Sequence, residues 1–112
     1  MKPETSKLIA EAVWGYSVYE GVDKRHSHNR PYIYYEIPDA DLDGIQVEIS
    51  PENNPAQREK IFLWLTEKCK WKHRYVSGVH IFRKVKTLYS DQVCDKDYTT
   101  ALLQAAVKEV RG

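Results

Sequence analysis

The chain has 112 residues, 17 Lys and Arg against 16 Asp and Glu, and 29% charged and 42% hydrophobic residues. Those values describe one folded domain over residues 1–112, and they exclude a disordered chain. No run approaches the ~18 apolar residues of a membrane span, and Met1–Lys7 is too polar, and Leu8–Ala10 too short, to make a signal-peptide core. A cytoplasmic protein with reduced Cys69 and Cys94 is expected.

In chain order, Leu8, Ile9, Ala12, Val13 and Tyr16 follow one helical face, with Thr5 or Ser6 as the cap and Gly15 as the end. Val18–Val22 is a short extended segment, and the polar run DKRHSHN (residues 23–29) reads as a loop. The run YIYYEI between Pro31 and Pro38 is a strand, with Tyr32 and Tyr34 on one face and Ile33, Tyr35 and Ile37 on the other. DADLDG (39–44) is a turn leading to the alternating strand IQVEI (45–49). Asn54 caps a second helix, Pro55 suits its first position, Gln57 completes a capping box, and the apolar line Ile61, Leu65 and Cys69 carries it to about Lys68. Arg74–Ser77 and Val79–Leu88 read as strands, Asp91–Lys96 as a loop. A third helix starts near Asp97 with Leu102, Leu103, Ala106 and Val110 as its stripe. The class is α+β: a small, mainly antiparallel sheet layered with three helices.

The charge is sorted along the chain. Residues 36–52 hold six acids (Glu36, Asp39, Asp41, Asp43, Glu48, Glu52) and no Lys or Arg, whereas residues 68–90 hold seven bases and no acid. Lys70, Trp71, Lys72, Arg74, Tyr75, Arg83, Lys84 and Lys86 interleave cations with rings, the pairing a single-strand binder needs for phosphate and base. A solvated helix end and outward strand face is the plain alternative. The acidic segment with Asp39, Asp41 and Asp43 either neutralises those bases internally or faces a basic partner. Tyr32 and Tyr34 suit a protein interface, either a homodimer or another partner's footprint, unless a helix of the same chain covers them.

Chemistry is weakly signalled. DADLDG reproduces the opening of a calcium loop, but position twelve is Ser50 where the bidentate Glu belongs, so an acidic turn is the reading. His26 and His28 sit among Lys24, Arg25 and Arg30, which oppose a cation, and Cys69 and Cys94 lack a C-x-x-C partner. A metal-assisted hydrolase built on Asp39, Asp41 and Asp43 would rest on an exposed turn. No metal, cofactor or catalytic residue is assigned, and a non-enzymatic protein is expected.

Three segments carry a family likeness: LIAEAVWGYSV (8–18), ISPENNPAQREKIFLWL (49–65) and DYTTALLQAAVKEV (97–110). With Trp14-Gly15 and Ser50-Pro51 as its most specific parts, the chain resembles the phage ABA sandwich domain, a family of small phage and prophage proteins without assigned activity. The basic stretch Lys68–Leu88 departs from it. The resemblance implies a helix–sheet–helix sandwich in a phage or prophage context and no catalytic residue. With the charged and aromatic candidates, it leads to the expectation of an accessory protein that binds a host or phage macromolecule. An inhibitor of a host defence system is one form of that role. Nucleic-acid binding through residues 68–86 is the alternative.

Overall fold

A computed structural model describes residues 3–23, 30–37, 45–86 and 88–111. Its three helices and six antiparallel strands confirm the α+β class, with the strands divided between two three-stranded sheets. The chain separates into two compact units, Met1–Ser50 and Pro51–Gly112, each holding one sheet.

In the first unit, α1 (Pro3–Trp14) leads to β1 (Val18–Asp23), β2 (Arg30–Ile37) and β3 (Ile45–Glu48), in the sheet order β1-β2-β3. α1 begins before Thr5 and Ser6, so both lie inside the helix and neither caps it. Its end is as expected: Gly15 adopts φ +73° and donates its N–H to Glu11 O at 2.9 Å. That left-handed C-terminal residue is a conformation Gly reaches without a Cβ clash. Alternation then sorts β2 as the sequence predicts. Ile33 and Tyr35 are buried with Ala10, Val18 and Ile49, against which Trp14 and Val47 pack. Tyr32 and Tyr34 point to the opposite face and are half-buried.

The second unit contains α2 (Pro55–Leu63), a π-helical turn (Trp64–Lys68), β4 (Lys72–Val76), β5 (Val79–Val85), β6 (Ser90–Asp95) and α3 (Tyr98–Arg111). Asn54 caps α2 by accepting the N–H groups of Ala56 at 3.0 Å and Gln57 at 3.2 Å. The helix widens where the Thr66 hydroxyl donates to Phe62 O at 2.9 Å. The Thr oxygen competes there with the regular backbone ladder. The Cys69 N–H accordingly reaches Trp64 O, and the Trp71 N–H reaches Leu65 O. Lys70, at φ +65°, ends the turn and delivers Trp71 inward.

β4 and β5 form a hairpin through Ser77 and Gly78, both at positive φ (52° and 79°), the requirement of a two-residue type I′ turn. Ser90–Asp95 is a paired strand and not the expected loop. Only Val93 of its six residues is buried, so this edge strand has almost no apolar alternation to betray it. Pairing with β5 makes it a strand. Asp97 caps α3, accepting the N–H of Thr100 at 2.9 Å and its hydroxyl at 2.7 Å. The core of this unit contains Ile61, Leu65, Trp71, Phe82, Val93, Ala101, Leu102, Ala105 and Ala106, all buried. Small residues at 101, 105 and 106 let α3 lie close to β5 and β6.

Candidate functional site

Strand alternation gives the second sheet two different faces. Directly paired residues share a face, so His73, Phe82 and Val93 form a row on the helix-covered side, beside Lys84 and Asp91. Lys72, Arg83 and Gln92 form a row on the other side, as do Arg74, Ile81 and Cys94. That outer face is a shallow depression of ≈ 520 Å³. Lys70, Lys72, Arg74, Arg83 and Gln92 line it together with Val76, Ile81 and Val85.

Four of the eight candidates in residues 68–86 therefore meet on one open face: Lys70, Lys72, Arg74 and Arg83. Among the described residues no acidic side chain lines the depression. Lys72 and Arg83 stand directly opposite each other across the hairpin. Their Cβ atoms are then ~4.5–5.5 Å apart, where like charges repel and weaken the sheet. Among the described residues neither Lys72 nor Arg74 has an acidic partner. Among the described residues Arg83 reaches only the Ser90 hydroxyl, at 3.4 Å.

The other four candidates are placed elsewhere. Trp71 is 2% exposed, and its indole N–H donates to Glu109 Oε2 at 2.9 Å, so it offers no ring to a base. Lys84 binds the same carboxylate on the helix side, at 2.9 and 2.8 Å to its two oxygens. Lys86 pairs with Asp91 at 2.8 Å. Tyr75 is 64% exposed but sits on the helix side, its ring 4.6 Å from that of His80.

Glu109, on α3, is a neighbour of these side chains that no sequence pattern signals, because it lies 38 residues from Trp71. Burial pushes its carboxyl up, but hydrogen bonds from Lys84 and Trp71 outweigh this and hold it below its usual range. The same carboxylate, after burial itself, helps push the Cys69 thiol up to about 11. Cys69 is thus held as a thiol at neutral pH, which is the wrong state for a nucleophile. Cys94 lies exposed on the outer face, where Gln92 Nε2 donates to its sulfur at 3.3 Å.

His73 and His80 meet on the helix side, with ring nitrogens 3.1 Å apart and rings 10° from parallel. Phe62, Phe82 and Tyr98 surround them. Two imidazoles are fewer ligands than a zinc site takes. Among the described residues no group of three or more His, Cys, Asp or Glu side chains is placed to hold a metal ion. His26, His28, Asp39, Asp41 and Asp43 lie outside the described residues.

On the first sheet, Tyr32, Tyr34 and Tyr19 form a row on the face away from the α1-packed core, with ring centroids 5.5 and 5.8 Å apart. Gly21, opposite Tyr32, leaves room for that ring: a Cβ there would stand 2.7 Å from it. Part of the shielding of Tyr32 and Tyr34 therefore comes from their own row.

No described helix is long and apolar enough to cross a membrane. No family model matches the chain, and neither a curated protein nor a solved structure does so.

Proposed function

We propose that the protein acts by binding, and that its partner is the phosphate backbone of a nucleic acid, held on the outer face of the β4-β5-β6 sheet. The observation that carries this reading is the direct opposition of Lys72 and Arg83, with Arg74 beside them and no acid among the described residues of the face. Fixing like charges opposite one another costs stability. A line of phosphates converts that repulsion into attraction and releases its own counterions. The unit that bears the face supports the same reading. Residues 51–112 contain twelve Lys and Arg against seven Asp and Glu, a net charge of +5, so a polyanion is drawn toward it.

The role of a phage or prophage accessory protein, acting on a host or phage macromolecule, rests on the likeness of three segments to the phage ABA sandwich domain. It is compatible with this mode of binding, and an acidic host protein is the competing occupant of the same face.

Fluorescence anisotropy with a labelled oligonucleotide tests the proposal. Affinity should fall steeply with salt, by about 0.7 in log–log slope per phosphate engaged on a single strand. Arg74→Glu with Arg83→Glu should reduce the slope by about 0.7 for each residue. Lys96→Glu, a charge reversal outside the depression, should leave the slope unchanged. Binding that ignores salt, or that survives the double reversal, contradicts the reading.

A further inference from the structure

We infer that the nucleic acid this face takes is single-stranded, and that its bases lie against the aliphatic side chains of Val76, Ile81 and Val85, which alternate with the cations along the face. The inference rests on the polyanion reading and adds what lies between the phosphates. Val76 is 44% and Val85 70% exposed, each two residues along a strand from a cation of the same face, Arg74 and Arg83. Ile81, cross-strand from Arg74, is half-buried between them. Cations alone would serve for a phosphate contact, and an exposed valine gains nothing from a phosphate. A ligand that presents both anionic groups and apolar rings uses the whole face.

Duplex and single strand differ in that respect. A duplex keeps its bases stacked inside and shows phosphates and groove edges to a surface. A single strand can splay its bases onto an apolar platform while its backbone follows the positive charge. The shallow concavity of ≈ 520 Å³ has that layout: from the hairpin turn along the face come Val76, then Arg74 with Ile81, then Lys72 with Arg83, then Val85. The rings that the sequence offers for stacking are not on this face, since Trp71 is buried and Tyr75 projects to the helix side. With aliphatic contacts and Gln92 as the one amide among the described lining residues, the face has little means to read base edges. Binding is therefore broad in sequence.

The test compares a single-stranded DNA oligonucleotide with a duplex of equal phosphate number, in the full chain at matched salt. The single strand should bind at least tenfold more tightly. Val76→Ser with Val85→Ser removes exposed apolar surface and no charge. It should weaken single-strand binding several-fold, leave duplex binding and both salt slopes unchanged, and leave the circular dichroism spectrum unchanged. Equal or tighter binding of the duplex overturns the inference while leaving the polyanion reading intact. So does an equal loss for both ligands in the double variant. Binding of neither nucleic acid, whether or not poly-glutamate binds, overturns the nucleic-acid reading itself.

Discussion

His73 and His80 share a hydrogen bond that tolerates only one proton between their facing nitrogens, Nε2 and Nδ1, 3.1 Å apart. A proton on both would set two N–H groups and two positive charges against each other. Burial first, and His80 second, hold the His73 imidazole below its usual pKa. Several polar or charged groups border the pair. Tyr75 comes from β4 and Tyr98 from α3, Asp95 is the cross-strand partner of His80, and Asp97 lies close enough for His80 to help lower its carboxyl. Arg58 of α2 acts on Asp97 and Tyr98. Because the folded pKa is depressed, the unfolded chain binds the proton more readily. The contribution to stability is complete above the unfolded pKa of about 6.5 and is lost as pH falls through the lower folded value. The thermal midpoint should therefore drop between pH 7 and pH 5, well above the range where Asp91 and Asp97 titrate. His73→Phe, which keeps an aromatic ring beside Phe62 and Phe82, should flatten that drop. An unchanged slope in the variant would assign the pH dependence to other groups.

At the scale of elements, α2 shows how far local chemistry carries. Asn54, Pro55 and the line of Ile61 and Leu65 mark its start and its buried side by residue type and spacing alone, and Asn54 does cap it. Asn54→Ala should cost about 1 kcal/mol, read as a shifted denaturation midpoint with an unchanged denaturant slope. A variant as stable as the parent would mean that Pro55 alone sets the helix start. The other end of α2 is not legible in the same way, because the π-turn depends on the Thr66 hydroxyl taking the Phe62 carbonyl, a competition with no sequence period. The same contrast separates two strands. β2 alternates buried Ile33 and Tyr35 with half-buried Tyr32 and Tyr34, and reads correctly from its pattern. β6 buries only Val93 and reads as loop, since its strand character comes from β5 pairing with it. Reading β6 as loop leaves Gln92 and Cys94 out of the candidate face.

Across the whole molecule, the sorting of charge in the sequence coincides with the division into units. Residues 1–50 contain five Lys and Arg against nine Asp and Glu, a net charge of −4, opposite in sign to the +5 of residues 51–112. The basic stretch is legible as a stretch, but which of its cations remain available is not. Lys84 and Lys86 are taken by Glu109 and Asp91, and Trp71 is held inward by the same Glu109. Lys70, Lys72, Arg74 and Arg83 are left together by the period-two alternation of a hairpin whose register rests on the Ser77-Gly78 turn. The claim that this face is the binding surface is tested most directly by amide chemical-shift mapping during titration with a short single-stranded oligonucleotide. Shifts concentrated at Lys70, Lys72, Arg74, Ile81, Arg83 and Gln92, and reversed by added salt, are the expected result. Shifts confined to residues 1–50, or to the helix side around Tyr75 and His80, would contradict the account.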